Sequence, residues 1–147
     1  MQRRTWIDPH LARVPLFRGL SKDDLRLVSS LATELAFPAG KAITVEGRTG
    51  YEFVVIQEGY VEVRRGGHAI ASRGPGDYVG EIALIADRPR TASVVAKTPV
   101  SVAVIGRREF RALLDRVPEL DAQIRTVAAA RLAELDGASA VDGAPGG

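Results

Sequence analysis

The chain has 147 residues, of which 46% are hydrophobic and 26% are charged, and this composition is typical of one globular domain and excludes a disordered protein. Cysteine is absent, which excludes disulfide bonds, thiolate catalysis and zinc–sulfur sites and fits a reducing, cytoplasmic location. The net charge is only +2, and the apolar runs are much shorter than the about 18 residues of a membrane span, so neither nucleic-acid nor membrane binding is indicated.

The first 35 residues are predicted to form helices. Pro9 and Pro15 interrupt a short helical lead-in. Ser21, followed by Asp23 and Asp24, has the pattern of an N-cap with an acidic first turn. Apolar residues then recur at helical spacing, which predicts a helix of about three turns. These residues are Leu25, Val28, Leu31 and Leu35.

Residues 36–106 have the pattern of antiparallel β-strands. Short runs rich in Val, Ile, Tyr and Phe are separated by glycine about every ten residues, which is typical of a β-barrel or jelly roll. The predicted strands are Lys41–Val45, Tyr51–Gln57, Tyr60–Arg65, Ala69–Arg73, Thr91–Ala96 and Val100–Ile105. The segment Gly80–Arg90 interrupts this rhythm, and its alanine and leucine residues predict a short helix inserted between two strands.

Helical spacing returns at Arg107. Phe110, Leu113 and Leu114 predict one short helix, and Pro118 is expected to begin a second. An apolar stripe runs along the second helix and consists of Leu120, Ile124, Val127, Ala128, Leu132 and Leu135. Residues 136–147 are mostly Gly, Ala, Ser, Pro and Asp, so a disordered tail is predicted after a domain that spans residues 1–135. The whole pattern predicts an α+β fold, an antiparallel β-roll flanked by N-terminal and C-terminal helices.

The segment from Gly80 to Val94 carries the functional signal. Gly80 and Glu81 stand at the start of the predicted short helix, where free backbone N–H groups can bind an anion. Arg90 follows a proline and can supply a planar guanidinium to the same anion. A carboxylate at Glu81 can accept a hydrogen bond from a hydroxyl group. A phosphate and a hydroxyl this close together are what the ribose phosphate of a nucleotide offers.

The same segment resembles the phosphate-binding cassette of cyclic nucleotide-binding domains. That cassette reads approximately G-E-[LI]-A-L, a few residues, and then P-R-[TSA]-A-x-[VI], and residues 80–84 and 89–94 match every position. Glu46–Val63 is similar to the family's glycine-bounded β-hairpin, and the resemblance extends from about Leu16 to Leu135. Val79 departs from the pattern, since the family usually has Phe there. The resemblance implies a cAMP or cGMP sensor on a β-roll, with the cassette helix inside it.

The resemblance also implies a role for each matching residue. Arg90 would bind the cyclic phosphate and Glu81 the ribose 2′-hydroxyl, while Gly80 would let the backbone approach the ligand closely. Thr91 follows the arginine, and family members with Thr there often accept cGMP because the hydroxyl can reach the guanine amino group. Further donors would be the backbone N–H groups of Ile82, Ala83 and Ala92.

Arg131 has two interpretations. At 100° per residue it lies near the centre of the apolar stripe of the last helix, where a charge needs a partner or a polar cavity. In the first interpretation its side chain reaches solvent or pairs with an acidic residue such as Glu58. In the second, suggested by a similarly placed arginine in nucleotide-gated channels, the helix closes over the ligand and Arg131 caps the purine. Movement of this helix would then be the output.

Other functional classes find less support. The sequence has no recognisable catalytic motif, so we expect no enzymatic activity, and its two histidines, His10 and His68, are too far apart to indicate a metal site. No helix-turn-helix pattern follows residue 135, so direct DNA binding is not expected. No cofactor besides the nucleotide is expected, and the partner would be an effector protein that the sequence does not identify. Two alternatives stay open: a ligand-independent interaction domain on the same fold, and the sensor fragment of a larger transcription regulator or channel.

Overall fold

The fold has N-terminal helices, two antiparallel sheets and two C-terminal helices. A computed structural model describes residues 9–47, 52–80 and 90–143. The helices are α1 (Pro9–Ala12), α2 (Lys22–Leu31), α3 (Arg107–Arg116) and α4 (Pro118–Gly143), with a 3-10 turn at Pro15–Phe17. The strands are β1 (Thr33–Phe37), β2 (Ala42–Thr44), β3 (Glu52–Glu58), β4 (Val61–Arg65), β5 (His68–Arg73), β6 (Tyr78–Val79), β7 (Ser93–Ala96) and β8 (Val100–Gly106).

The eight strands form two four-stranded sheets. The first sheet has the order β1-β8-β3-β6 and the second the order β2-β7-β4-β5. Every neighbouring pair is antiparallel. The predicted α+β fold with an antiparallel β-roll is therefore confirmed.

Two apolar clusters hold the layers together. In the first, Phe53 of β3 stacks on Phe110 of α3 with ring centroids 4.5 Å apart, and Tyr78 of β6 lies 5.2 Å from Phe53. Leu120 and Ile124 of α4 are buried in the same cluster, so both C-terminal helices pack on the first sheet. The second cluster joins the two sheets and includes Val54, Ile56, Val61, Val94 and Val102.

The predicted strands overlap the observed ones, but the sequence did not indicate β1 and β6. The expectation that the second helix continues to Leu35 is wrong. Helix α2 ends at Leu31, and Ala32 already has an extended backbone with φ −87° and ψ 142°. Leu35 lies in β1 and pairs with Val102 of β8. Hydrogen bonding to β8 thus decides the conformation of a segment whose leucine fitted a helical period by coincidence.

The start of α2 agrees with the sequence prediction, whereas the end of α4 does not. Ser21 caps α2 as predicted, since its hydroxyl accepts a hydrogen bond from the backbone N–H of Asp24 at 3.1 Å. The tail that was predicted to be disordered from Asp136 is helical as far as Gly143, because α4 continues through it. The segment contains two alanines, which have high helix propensity, and no proline occurs between Pro118 and Pro145 to end the helix. The predicted cassette helix falls on residues 81–89, outside the described part of the chain.

Candidate functional site

A pocket lies between the second sheet and helix α4. It encloses about 530 Å³ of empty space, a volume that includes space open to solvent. Val63, Ile70 and Val94 provide an apolar wall. The predicted site residues that the structure brings together here are Gly80, Arg90, Thr91, Ala92 and Arg131.

Arg90 is the most deeply buried charged residue of this pocket that the structure describes. It is only 6% exposed, and its Nη2 donates to the carbonyl oxygen of Glu52 at 2.8 Å. Its Nη1 donates to the carbonyl oxygen of Gly80 at 3.2 Å, so two backbone groups fix the plane of the guanidinium. The carboxylate of Glu52, which is 53% exposed, lies 3.6 Å from Nη2, farther than the about 2.7–2.9 Å of a charge-assisted hydrogen bond. A buried guanidinium can form charge-assisted hydrogen bonds with an anion that enters the pocket.

Gly80 is required where the chain passes Arg90. Its φ of +95° lies in the left-handed region that favours glycine. A Cβ at this position would lie 2.5 Å from Nη1 of Arg90 and 2.6 Å from the carbonyl oxygen of Glu52. The expectation that Gly80 lets the backbone approach a ligand stays a prediction, and the atoms that lie close to Gly80 in the structure belong to Arg90 and β3.

Ala92 connects the pocket to helix α4. It is 8% exposed and packs against Ala128 of α4, which is 9% exposed. Two small side chains at this contact let the helix lie close to the start of β7. Thr91 lines the pocket beside them. The remaining predicted contacts, at Glu81, Ile82 and Ala83, lie outside the described residues.

Arg131 extends from α4 to the turn before β6. Its Nη1 donates to the carbonyl oxygen of Tyr78 at 2.5 Å, and its Nη2 is 2.6 Å from Oδ1 of Asp77. The guanidinium carbon lies 4.8 Å from the centre of the Tyr78 ring, within the distance of a cation–π contact. The acidic partner of Arg131 is thus Asp77 and not Glu58. Arg131 also lines the pocket. Elements of both interpretations are therefore present, since Arg131 has an acidic partner and lies beside the pocket.

The sequence did not point to four other residues around this pocket. Glu52 holds Arg90 through a backbone carbonyl, and a backbone contact leaves no mark in residue type. Asp77 precedes the two-residue strand β6, which is too short to be recognised by alternation. Arg73 and Glu134 line the pocket and form an ion pair with a nitrogen–oxygen distance of 3.3 Å. Arg73 is the last residue of a predicted strand, and a charged residue directly after an apolar run could have indicated a polar position at the end of that strand.

Metal-ligand clusters and membrane-spanning helices were both sought in the described ranges. Residues 9–47, 52–80 and 90–143 contain no cluster of three or more histidine or acidic side chains that could hold a metal ion. No helix within the same ranges combines the length and the apolar character that a membrane crossing needs.

Comparison with known proteins relates this site to one family. Residues 34–117 match the family model of the cyclic nucleotide-binding domain. A cAMP-dependent protein kinase regulatory subunit from Aspergillus niger is 36% identical over 121 residues, which make up 81% of this chain and 29% of that protein. The chain therefore spans less than a third of the length of this curated relative.

Solved structures show the same fold. The regulatory domain of Toxoplasma gondii PKA, crystallised with cAMP, is 28% identical and aligns with a TM-score of 0.73 over 84% of this chain and 50% of that chain. The regulatory subunit of a cAMP-independent protein kinase A from Trypanosoma brucei is 32% identical, with a TM-score of 0.73 over 80% of this chain and 43% of that chain. The fold is thus found both in a domain crystallised with cAMP and in a subunit of a kinase that is independent of cAMP.

Proposed function

Because the chain belongs to the cyclic nucleotide-binding domain family, we propose that it is a sensor module that binds cAMP or cGMP in the pocket between the second sheet and α4. The observation that carries this proposal is Arg90, a buried arginine that lines the pocket. Two backbone carbonyls orient it, and Gly80 leaves the space in which it lies. A buried guanidinium of this kind is suited to the single negative charge of a cyclic phosphate.

We position the nucleotide in the pocket by starting with its phosphate at Arg90. The phosphate binds Arg90, and the backbone N–H of Ala92 adds a donor. The family resemblance assigns the ribose 2′-hydroxyl to Glu81 and two further phosphate donors to Ile82 and Ala83. The purine then extends toward α4, where the apolar wall of Val63 and Ile70 and the guanidinium of Arg131 line the remaining space.

Cyclic AMP is the first ligand to consider. The Aspergillus niger relative is named as a cAMP-dependent subunit, and the Toxoplasma gondii domain was crystallised with cAMP. Thr91 lies in the pocket with a hydroxyl that can both donate and accept, so it can serve a guanine amino group without rejecting adenine. We therefore expect both nucleotides to bind.

The output of the sensor is a change in the position of α4. Ala128 connects this helix to Ala92, just before β7, and Arg131 connects it to the turn before β6. A ligand that contacts Arg131 therefore favours the arrangement in which the helix covers the pocket. An effector protein would recognise the helix in that arrangement. For a regulatory domain we expect no catalysis, and a cytoplasmic location agrees with the absence of cysteine.

Titration calorimetry on the purified chain tests the proposal. cAMP and cGMP are titrated beside 5′-AMP, which carries the same base and sugar as cAMP but a doubly charged, non-cyclic phosphate. The proposal requires saturable binding of at least one cyclic nucleotide and much weaker binding of 5′-AMP. If neither cyclic nucleotide binds, the chain is not a sensor of this class.

One observation favours a second function, a ligand-independent interaction domain. The similar regulatory subunit from Trypanosoma brucei belongs to a cAMP-independent kinase, so this fold also occurs where cAMP is not the signal. The same calorimetry separates the two functions, because a ligand-independent domain gives no heat of binding with either nucleotide while keeping a cooperative thermal unfolding transition.

A further inference from the structure

A second cavity lies between the 3-10 turn near the start of the chain, the turn before β6 and helix α4. It encloses about 1250 Å³ of empty space, a volume that includes space open to solvent. We call it the α4 groove. Most of its lining is apolar and consists of Pro15, Leu16, Pro75, Tyr78, Ala122 and Val127.

Arg131 lines both the nucleotide pocket and the α4 groove. At about 100° per residue, Val127 lies about 40° from Arg131 on one side of the helix and Ala128 about 60° from it on the other. Val127 lines the groove, whereas Ala128 packs on Ala92 beside the nucleotide pocket. A segment that fills the groove therefore contacts the same helix, and the same arginine, that cover the pocket.

Residues 1–8 have the chemistry that this groove requires. They read Met-Gln-Arg-Arg-Thr-Trp-Ile-Asp, directly precede α1 and lie outside the described part of the chain. Trp6 combines a large apolar surface with an indole N–H, which needs an acceptor when it is buried. The groove combines its apolar lining with side-chain oxygens of Gln123 and Thr126 that can accept such a bond.

The chain is also long enough for Trp6 to reach the groove. Pro9, where α1 begins, lies six positions before Pro15 of the groove lining, and the helical rise limits the distance between their Cα atoms to about 15 Å. The three residues from Trp6 to Pro9 span up to about 10 Å when extended, and the indole extends the reach further. A tether this short gives an effective concentration of about a millimolar, which favours residues 1–8 over a separate protein as the occupant.

From these observations we propose that residues 1–8 dock in the α4 groove with Trp6 as the anchor. The docked segment contacts Val127 and Arg131 and so holds α4 in the arrangement that covers the nucleotide pocket. Residues outside the pocket thereby raise its affinity for a ligand. The docking goes beyond the proposed function, and only its effect on nucleotide affinity rests on that function.

The fluorescence of Trp6 tests the docking without any nucleotide. Trp6 is the only tryptophan of the chain, so tryptophan emission reports on this residue alone. In the folded chain we expect emission at shorter wavelength and severalfold weaker quenching by acrylamide than in urea, independent of protein concentration. Emission and quenching equal to those in urea would overturn the proposal, and protection that appears only at high protein concentration would overturn it in favour of a second copy as the occupant.

Two arginine substitutions on α4 locate the site where Trp6 is protected. Ala122 is an exposed residue of the groove lining, so Ala122→Arg places a large charged side chain in the groove and should raise the quenching of Trp6 toward its value in urea. Ala129→Arg is the matched control, because Ala129 is an exposed alanine of the same helix that does not line the groove, and it should leave quenching unchanged. Equal quenching in wild type and Ala122→Arg would overturn the proposal. Thr126→Arg, at another exposed groove residue, replaces Ala122→Arg if the melting temperature shows that the latter does not fold.

Titration calorimetry with cAMP and cGMP tests the effect on affinity. We expect Trp6→Ala and Ala122→Arg each to weaken binding by about fivefold or more, and the double variant to lose no more than either alone, since both remove the same contact. Ala129→Arg should bind as wild type does. Unchanged affinity in Trp6→Ala would overturn the coupling to the pocket. If wild type binds neither nucleotide, the proposed function fails, while the fluorescence result still decides whether residues 1–8 dock in the groove.

Discussion

Arg90 has two functions at the residue scale, and both follow from its contacts. It ties Gly80 to β3 through two backbone carbonyls, and it places a positive charge in the pocket. Its removal therefore leaves these two carbonyl oxygens without this donor and removes the cation that a phosphate would meet. Binding and stability should respond to the same substitution, and the choice of variant separates them.

Arg90→Leu should weaken binding of cyclic nucleotides by roughly 30-fold or more. The loss of a charge-assisted contact in a desolvated site costs about 2–5 kcal/mol, and each 1.4 kcal/mol is a factor of ten. Titration calorimetry measures the effect, with Arg90→Lys as the variant that keeps the charge but not the planar geometry. Unchanged affinity in a folded Arg90→Leu protein would show that the phosphate does not bind at this residue.

Gly80→Ala should lower both the melting temperature and the nucleotide affinity. The added Cβ would lie 2.5 Å from Nη1 of Arg90, so the guanidinium must shift, and the positive φ adds strain of about 1 kcal/mol or more. Gly40→Ala is the matched control. Gly40 has a similar φ of +88°, and no atom lies within 4 Å of its added Cβ. Both variants should lose stability, but only Gly80→Ala should lose affinity; equal affinity in the two variants would contradict the role of Gly80.

The sequence motif grouped residues of one short segment, and distant residues of the pocket were outside its reach. Arg90, Thr91 and Ala92 line the same pocket, because a motif of fixed spacing determines which residues share one short segment. Arg73, Asp77 and Glu134 come to the pocket from β5, the turn before β6 and α4. Only the pairing of strands and the docking of the helix bring such distant residues together. No local pattern in a single sequence indicates which of these residues will be close in space.

At the scale of the elements, helix α4 is joined to the sheets by packing and by ion pairs. Ala128 packs on Ala92, while Arg131 pairs with Asp77 and Glu134 with Arg73. The apolar stripe predicted for this helix is buried at Leu120, Ile124 and Ala128, with relative exposures of 2%, 0% and 9%. The helix is thus held over the pocket by contacts that do not involve a nucleotide.

Arg131→Gln and Asp77→Asn should both lower the free energy of unfolding of the ligand-free chain, by about 1–2 kcal/mol each. Each substitution removes one partner of a charge-assisted hydrogen bond of 2.6 Å that is largely but not fully buried. The two losses should not add in the double variant, since both remove the same interaction. Urea denaturation of wild type, both single variants and the double variant completes the cycle. Additive losses would show that the pair contributes nothing of its own.

The same variants test whether Arg131 also contacts the ligand. Asp77→Asn loosens the helix but leaves the guanidinium in place, so it serves as the control for Arg131→Gln. If Arg131 caps the purine, Arg131→Gln should increase the nucleotide dissociation rate by more than Asp77→Asn does. Stopped-flow release of a fluorescent cyclic nucleotide measures both rates. Equal rates in the two variants would mean that Arg131 acts only by holding α4 in place.

The exposure of strand β1 explains why the sequence did not indicate it. Strand β1 lies at the edge of the first sheet, and four of its five residues are exposed, so it lacks the alternation that indicates a strand. Leu35 lies in this strand and is 45% exposed, and its spacing from Leu31 wrongly suggested that the helix continues. The central strands β3 and β8 were recognisable because their long apolar runs are buried. Burial against neighbours is what produces a readable pattern.

At the scale of the whole molecule, ligand binding and folding are coupled. The pocket is built from both the second sheet and α4, so unfolding destroys it and a ligand binds only the folded chain. At a ligand concentration of 100 times the dissociation constant, mass action stabilises the folded state by about 2.7 kcal/mol. For a chain of this length that corresponds to an increase in melting temperature of about 5–10 °C.

The most direct test of the central claim is therefore the melting temperature of wild type and of Arg90→Leu, each measured with and without saturating cAMP and cGMP. The claim is that a cyclic nucleotide binds the folded chain through Arg90. It predicts an increase of about 5–10 °C for wild type with at least one nucleotide and no increase for Arg90→Leu at the same concentration. No increase for wild type with either nucleotide, or an equal increase in both proteins, would contradict it.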